Sequence, residues 1–225
     1  MLTKLNTDLN TLTLNIIEIF ASVQGETSLT GFPTSFVRLA ACNLRCSWCD
    51  TTYSFGRGEP QSLEAIVQQI ELNSCRHVCI TGGEPLLQAN VYPLMKTLCD
   101  KGFIVSLETG GSLTTEKVDP RVRIILDVKC PGSDMSDKNY WANLNHLRIH
   151  DEVKFVLIDR TDYDYAIDIS KKYNLFERKT PVLLSPVHGV LDSKLLIEWI
   201  LRDKYPARLN LQIHKFIWTP ETRGV

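Results

Sequence analysis

Short apolar runs rich in β-branched residues recur along the chain and alternate with amphipathic stretches. The six runs are SFVRL (35–39), HVCIT (77–81), FIVSLET (103–109), RIILDVK (123–129), EVKFVLI (152–158) and PVLLS (181–185). Runs of this length and composition are typical of strands buried on both faces of a parallel sheet. Their alternation with amphipathic stretches predicts six strands in βαβ units with right-handed crossovers.

Four amphipathic stretches predict helices between these strands. They are residues 62–72 with a Ser62 cap, 88–102 closing on Gly102, 163–173, and 192–203 opening at Asp192. Residues 110–120 are too short and broken for a helix. A complete eight-fold barrel takes about 250 residues. The fold class expected here is therefore α/β, an incomplete (βα)6-type TIM barrel with one abbreviated crossover. The aromatic residues of 211–225 predict a tail packed across the open side of the barrel or against a partner subunit.

Composition and charge favour a small-molecule substrate. The formal net charge is −1, whereas a protein that grips a phosphate backbone needs a surplus of Lys and Arg on one face. No nucleic-acid partner is therefore expected. Residues 1–15 lack the apolar stretch of a signal peptide, and no later apolar run approaches the roughly 20 residues of a membrane span. We expect a cytoplasmic protein without a membrane partner.

Three cysteines stand within eight positions, as Cys42, Cys46 and Cys49, directly after the first predicted strand. A structural zinc ion takes four protein ligands, usually as two close pairs. A second pair with suitable spacing is absent. The other four cysteines are predicted to be small core residues, because free Cys is among the most buried side chains; they are Cys75, Cys79, Cys99 and Cys130.

Three thiolates suit an iron–sulfur cluster better than a zinc ion. A cubane cluster held by three cysteines leaves one iron without a protein ligand, and that iron can bind a substrate or cofactor. The triplet lies at the end of a parallel strand, where α/β proteins place their active sites. The pattern therefore predicts a 4Fe-4S centre with one open coordination position, and structural zinc remains the alternative.

The spacing Cys-x3-Cys-x-aromatic-Cys resembles the signature of the radical S-adenosylmethionine (SAM) enzymes. A second motif of that superfamily, TGGEP, occupies residues 81–85 at the end of the next predicted strand. Its two glycines allow a close approach of the backbone to a ligand, and Glu84 supplies a carboxylate. On its own TGGEP would indicate a simple turn, but its position one βα unit after the triplet favours a SAM site.

The flanking motifs resemble the 7-carboxy-7-deazaguanine synthase family. They are FASVQGET (20–27), FVRLAACNLRCSWCDTTYSF (36–55), LETGG (107–111), LDVKCPGS (126–133), LLSPVHG (183–189) and LQIHKFIW (211–218). The resemblance begins near residue 14 and runs to the C-terminus. It implies an N-terminal extension, residues 1–13, followed by a single radical SAM domain, residues 14–225.

The resemblance implies a role for each matching residue. The 4Fe-4S cluster is assigned to Cys42, Cys46 and Cys49, and Mg²⁺ to Thr51. SAM binding is assigned to Trp48, Asp50, Gly83, Glu84, Asp127, Val128, Lys129, Ser185, Pro186, Val187 and His188. Substrate binding is assigned to Val23, Gln24, Gly25, Arg38 and Thr81. Glu108 and Thr109 are candidates for the SAM ribose. His188 and His214 are expected on apolar strands, with no acid–base role assigned to either.

The family's reaction converts 6-carboxy-5,6,7,8-tetrahydropterin to 7-carboxy-7-deazaguanine with loss of ammonia, a step toward queuosine and other 7-deazapurines. The resemblance implies a 5′-deoxyadenosyl radical delivered by SAM, an external reductant of the flavodoxin or ferredoxin type, Mg²⁺ and a homodimer. Two alternatives remain open at this point. One is a radical SAM activase that installs a glycyl radical on a partner protein, and the other is a non-catalytic iron–sulfur or zinc module.

Overall fold

The computed structural model describes residues 9–220 and 222–225, and their strands form one sheet. The nine strands are β1 (Thr13–Val23), β2 (Pro33–Leu39), β3 (Glu59–Ser62), β4 (His77–Gly82), β5 (Ile104–Thr109), β6 (Arg123–Asp127), β7 (Glu152–Leu157), β8 (Val182–Pro186) and β9 (Ala207–Leu209). Their order across the sheet is β3-β1-β2-β4-β5-β6-β7-β8-β9. From β2 to β9 every neighbouring pair is parallel. All carboxyl ends of these strands therefore meet at one edge.

The six predicted strands are confirmed as β2, β4, β5, β6, β7 and β8, but the expected total of six was wrong. Strand β1 pairs antiparallel with both β2 and β3, and β9 adds a further parallel strand. The added strands carry weak signals. Asn15 and Glu18 interrupt β1, Pro60 lies in β3, and β9 has only three residues. Pairing within the sheet, rather than local sequence, defines them.

Four of the helices match the predicted amphipathic stretches. They are α1 (Leu63–Leu72), α2 (Val91–Asp100), α3 (Arg160–Lys172) and α4 (Ser193–Asp203). The Ser62 hydroxyl accepts from the amide of Ala65, and the Asp192 carboxylate accepts from the amide of Lys194. Both side chains thus satisfy amide groups that a helix start leaves unpaired.

Two crossovers lack an α-helix, where the sequence predicted only one. The connection from β5 to β6 is irregular, as expected for residues 110–120. The connection from β6 to β7 also contains only short 3₁₀ turns, at Pro131–Ser133, Ser136–Lys138 and Trp141–Asn145. Pro131 and Gly132 disfavour a helix there, and the segment has no apolar stripe of helical period to bury.

One apolar core cluster joins the strands of the sheet to the helices. Phe155 of β7, Leu94 of α2 and Tyr163 of α3 are fully buried in it. No helix of the described chain is long and apolar enough to cross a membrane.

The two ends of the sheet are linked through the segment that follows β1. The amide of Ser28 donates to Glu152 of β7 (3.1 Å), and Arg208 of β9 donates to the Ser28 hydroxyl (2.8 Å). Because β1 lies near one end of the strand order and β9 lies at the other, these bonds require the sheet to curve.

The Phe155→Ala variant is expected to lower the free energy of unfolding by about 3–5 kcal/mol, because it removes a fully buried ring and leaves a cavity. Urea denaturation measures this loss. Leu72→Ala is the control, since Leu72 is 83% exposed and its truncation should change stability by no more than about 0.5 kcal/mol. Equal losses in the two variants would contradict the position of the core.

Candidate active site

A cavity of about 300 Å³ opens at the carboxyl ends of the parallel strands. Nineteen of the twenty predicted site residues line it: Val23, Gln24, Gly25, Arg38, Cys42, Cys46, Trp48, Cys49, Asp50, Thr51, Thr81, Gly83, Glu84, Asp127, Lys129, Ser185, Pro186, Val187 and His188. The exception is Val128, whose side chain belongs to the apolar core. The amide of Val128 donates to the carbonyl of Lys154 (2.9 Å), so the backbone continues the strand pairing beyond Asp127. Side chains alternate between the two faces of an extended segment, and that of Val128 therefore points away from the cavity that Asp127 and Lys129 line.

The cysteine triplet lies on the loop that leaves β2. All three thiols are half-buried, and the amide of Leu44 donates to the sulfur of Cys42 (3.4 Å). Burial raises the pKa of the Cys42 and Cys46 thiols, while the nearby Lys129 ammonium lowers it in part. Within residues 9–220 and 222–225, no three His, Cys, Asp or Glu side chains are arranged to hold a single metal ion. Cysteines that bind different irons of one cluster need not converge on one point.

The Gly-rich motif packs directly on the cysteine loop. The amide of Gly83 donates to the carbonyl of Leu39 (3.0 Å), and the amide of Glu84 donates to that of Ala41 (2.8 Å). A Cβ atom on Gly83 would lie 2.0 Å from the Ala41 carbonyl oxygen and 2.9 Å from the Cβ of Cys42. Only glycine therefore permits this contact.

Glu84 is completely buried, and protein groups hold both of its carboxylate oxygens. The amide of Leu86 donates at 3.0 Å, the amide of Gly110 at 2.8 Å, and the hydroxyl of Thr109 lies 2.9 Å from each oxygen. Burial raises the pKa of Glu84, and these hydrogen bonds offset part of that rise. The carboxylate is thus fixed in one orientation at the cavity wall.

Lys129 and Asp127, at the end of β6, form the adjacent wall. The Lys129 ammonium lies 3.1 Å from a carboxylate oxygen of Asp127 and 5.1 Å from the centre of the Trp48 ring. Burial would lower the pKa of Lys129, but the Asp127 carboxylate and the nearby Cys46 thiol together raise it. The other Asp127 oxygen and the Trp48 Nε1 are buried without a hydrogen-bond partner. Such atoms are costly unless a bound molecule or water satisfies them.

Polar side chains of β2, β4 and β5 line the other half of the cavity. The Thr81 hydroxyl donates to Glu108 (3.2 Å), and the Gln24 amide group donates to the same carboxylate (3.5 Å). Burial raises the pKa of Glu108. Arg38 donates through Nε to Glu18 (2.7 Å), and its guanidinium lies over the Phe20 ring, 6.0 Å from the ring centre.

The residues after Cys49 are held by the C-terminal segment. Lys215, in the short helix α5 (His214–Ile217), donates to Asp50 (2.7 Å), and the Thr51 hydroxyl donates to the same carboxylate (2.8 Å). Burial would raise the pKa of Asp50, but the charge of the Lys215 ammonium and the hydrogen bonds from Lys215 and Thr51 together lower it to about 2. Residues 212–215 thus contact the loops that line the cavity. The expected packing of residues 211–225 across the open side of a barrel or against a partner subunit stays a prediction.

Comparison with known proteins agrees with this geometry. Residues 37–131 match the model of the radical SAM superfamily. The 7-carboxy-7-deazaguanine synthase of Chlorobaculum tepidum is 42% identical over 216 residues, which cover 94% of this chain and 97% of that protein. The enzyme of the same name from Koribacter versatilis is also 42% identical, over 94% of this chain and 100% of that protein.

The chain belongs to the 7-carboxy-7-deazaguanine synthase family.

A solved structure has a similar fold. The crystal structure of QueE from Escherichia coli aligns with a TM-score of 0.74 and 25% identity, over 89% of this chain and 94% of that one. Streptococcus suis SuiB bound to S-adenosylmethionine shares only the fold, with a TM-score of 0.54 and 12% identity over 76% of this chain and 48% of that one.

The residues present fit the cofactors of a radical SAM enzyme, a 4Fe-4S cluster and SAM. Three thiols line one cavity and no fourth cysteine joins them there, which suits a cluster with an open iron. Beside them, the unpartnered Trp48 Nε1 and Asp127 oxygen offer a donor and an acceptor to a polar ligand. A structural zinc ion, which needs four ligands, does not fit this donor set.

Several charged residues of the cavity were missed by the sequence analysis. The buried Lys154 of β7 donates to Glu26 (2.9 Å) and lies 3.7 Å from Asp127. Burial would raise the pKa of Glu26, but the Lys154 ammonium outweighs it and lowers the pKa. Gln212 donates to the other oxygen of Glu26 (2.8 Å). A lysine inside an apolar strand run is the one signal in the sequence that could have indicated this network, because a buried ammonium needs a partner.

The expectations for the remaining cysteines and histidines were partly wrong. Cys79 and Cys130 are fully buried core residues, whereas Cys75 and Cys99 are only half-buried. His188 follows β8 in a turn, and His214 begins α5, so neither lies on a strand. Thr109 contacts Glu84 and Glu108 contacts Thr81; a contact of either with the SAM ribose stays a prediction.

His214 predicts a pH dependence of stability. Its ring lies so close to Gly25 that a Cβ there would meet Nδ1 at 2.0 Å, and burial lowers its pKa below the ordinary value of 6.5. The imidazole of His214 therefore binds a proton more readily in the unfolded chain than in the folded protein. The free energy of unfolding should accordingly fall as the pH drops below about 6.5. In His214→Gln this contribution should vanish.

Urea denaturation at about pH 7.5 and about pH 5.5 measures the effect. The loss of unfolding free energy on acidification should be smaller in His214→Gln than in the unchanged protein. His146→Gln, at a half-exposed histidine outside the cavity, is the control. A loss of the same size in His214→Gln and the unchanged protein would contradict the interpretation.

Proposed function

We propose that this protein converts 6-carboxy-5,6,7,8-tetrahydropterin to 7-carboxy-7-deazaguanine with loss of ammonia. Relatives that are 42% identical over nearly their whole length carry the name of that synthase. The observation that carries the proposal is the single cavity that unites the cysteine triplet, the Gly-rich motif and a separate polar wall built by Gln24, Arg38 and Thr81. The cofactor motifs and this polar wall therefore face the same space.

The half of the cavity nearest the cysteines is proposed to hold the cofactors. Cys42, Cys46 and Cys49 would ligate the cluster, and Gly83 with Glu84 would hold the methionine end of SAM. The remaining proposed SAM contacts are Trp48, Asp50, Asp127, the backbone of Val128, Lys129, Ser185, Pro186, Val187 and His188. The fixed Glu84 carboxylate and the unpartnered Asp127 oxygen support this assignment, because both can accept hydrogen bonds from a cationic or hydroxylated ligand.

The opposite half is proposed to bind the pterin. Arg38 supplies a guanidinium for the substrate carboxylate, which it can bind in a bidentate manner. Val23, Gln24, Gly25 and Thr81 form the rest of this wall, and Glu108 lies behind Gln24 and Thr81. When bound, the cluster and SAM supply the radical chemistry, and the protein's own part is to orient the substrate and exclude water from a site enclosed by strand ends.

Thr51 is proposed as the protein ligand of Mg²⁺. Its hydroxyl lines the cavity and lies beside the Asp50 carboxylate. Mg²⁺ prefers octahedral oxygen ligands and keeps several waters, so one hydroxyl and the substrate carboxylate form a sufficient anchor.

Further parts of the proposal concern architecture and context. We propose that the sheet is an incomplete (βα)6-type barrel forming one domain, residues 14–225, after an N-terminal extension, residues 1–13. The bonds from Ser28 to β7 and β9 support the curvature. A cytoplasmic homodimer, reduced by a flavodoxin or ferredoxin, completes the proposal.

Anaerobic reconstitution with iron and sulfide, followed by reductant, SAM, Mg²⁺ and 6-carboxytetrahydropterin, tests the reaction. Mass spectrometry should detect 7-carboxy-7-deazaguanine. Cys46→Ala should lose the cluster iron and the product together, because two thiolates cannot replace three. Cys75→Ala, at a half-buried cysteine outside the cavity, should retain both.

Two results would contradict the proposal. Cleavage of SAM without 7-carboxy-7-deazaguanine would favour an activase that acts on a partner protein. A stoichiometric zinc ion in anaerobically purified protein would favour a structural module.

The Thr51→Val variant tests the magnesium site, since valine keeps the shape of threonine but lacks the hydroxyl. Loss of an outer partner of a bound metal costs about 10- to 100-fold in affinity, and loss of a direct ligand should cost at least as much. The Mg²⁺ concentration for half-maximal activity should rise accordingly. Thr52→Val, at an exposed neighbouring threonine, is the control, and an unchanged Mg²⁺ requirement in Thr51→Val would remove Thr51 from the site.

A further inference from the structure

The segment that follows β9, residues 210–215, lies across the substrate side of the cavity; we name it the C-terminal strap. Its polar groups bond in sequence to the loop formed by residues 24–27. Gln212 donates to Glu26 (2.8 Å), and the amide of Ile213 donates to the carbonyl of Gly25 (3.0 Å). The strap therefore follows the loop residue by residue, in the opposite direction.

Asn210 anchors the strap at its first residue. The side chain is buried, and its Oδ1 accepts from the amide of Thr27 (2.7 Å) while its Nδ2 donates to the hydroxyl of Ser185 (2.9 Å). The amide of Asn210 also donates to the carbonyl of Leu184 (2.9 Å). One side chain thus joins the loop that carries Gln24 to the end of strand β8.

Thr27 needs such an anchor. Its φ angle is 70°, in the left-handed region, which is a genuine outlier for a β-branched residue and persists only where the surroundings impose it. Thr27 is also buried, so its amide would be costly without a partner. The bond from Asn210 supplies that partner at the strained residue itself.

We infer that Asn210 is a positioning residue that fixes residues 24–27 against the end of β8 and so sets the place of Gln24 and Gly25 in the substrate half of the cavity. Asn210 does not line the cavity and belongs to none of the predicted site motifs. It acts through Thr27 and Ser185. The kinetic consequence rests on the proposed function, whereas the structural consequence does not.

Hydrogen exchange tests the structural consequence on the folded, cofactor-free protein. Asn210→Ala should increase the exchange of amides in residues 24–30 about tenfold, because it removes the partner of a buried amide. The matched control is Asn143→Ala, at another buried asparagine whose Oδ1 accepts from the amide of Thr115 (3.0 Å) outside the cavity. That variant should leave exchange in residues 24–30 unchanged.

Steady-state kinetics on the reconstituted enzyme test the second consequence. Asn210→Ala should raise the KM for the pterin about tenfold. Because the variant also removes the bond to Ser185, a proposed SAM contact, the KM for SAM should rise as well, but by less. Asn143→Ala should leave the KM for the pterin unchanged. If the alanine variant does not fold, Asn210→Leu keeps the branched shape of the side chain without its hydrogen-bonding groups and should give the same shifts.

Unchanged exchange at residues 24–30 in a folded Asn210 variant would overturn the inference, as would an equal increase in Asn143→Ala. Increased exchange with an unaltered KM for the pterin would overturn the positioning role. If the unchanged protein makes no 7-carboxy-7-deazaguanine, the proposed function fails, and the exchange measurement still decides whether Asn210 holds the loop.

Discussion

The parallel pairing of β2 with β4 is the constraint on which the rest of the site depends. This pairing aligns Leu39 with Gly82, so the loop that carries the cysteines leaves the sheet beside the Gly-rich motif. The backbones then touch at Ala41 and Gly83, where no side chain fits between them. Hydrogen bonds from the Gly83 and Glu84 amides lock this contact. The cysteine triplet and the TGGEP motif form one surface because β2 and β4 are neighbouring strands.

From that contact the cavity extends along the strand ends. β5 contributes Thr109, which fixes Glu84, and Glu108, which contacts Thr81. Farther along, β6 contributes Asp127 and β7 contributes Lys154, which connects Asp127 with Glu26. The parallel strands β2, β4, β5, β6, β7 and β8 thus each contribute one or two polar side chains to the cavity, in the order of the chain. The charged groups are paired because an unpaired charge at this depth would be costly.

Much of this arrangement could be predicted from sequence. The strands from β2 to β8 other than β3 are continuous apolar runs, which mark burial on both faces, and the helix starts at Ser62 and Asp192 follow from side-chain capping. The cysteine triplet and TGGEP could be placed because each directly follows a recognisable strand, whereas FASVQGET lies at the end of β1, a strand that was not predicted. Val128 is instructive: the motif contains it, but the alternation of extended residues turns its side chain into the core.

The rest depends on contacts distant in sequence. Strand β1 is defined by its antiparallel partners rather than by an apolar run. The connection from β6 to β7 has no periodic apolar pattern from which its packing could be predicted. Lys154 and Glu26 are 128 positions apart, so the sequence alone does not predict that they form an ion pair. The role of Asn210 could not be predicted, because an asparagine that follows a short strand is also typical of an ordinary turn.

The bond between Thr27 and Asn210 joins residues 183 positions apart. During synthesis, residues 24–27 emerge early, whereas Asn210 leaves the ribosome only after every strand of the sheet. The amide of Thr27, the left-handed residue of the loop, therefore has no access to Asn210 until the end of the chain has been synthesised. Closing so long a loop costs more chain entropy than local pairing does, so this bond depends on the assembled sheet to hold its two ends together.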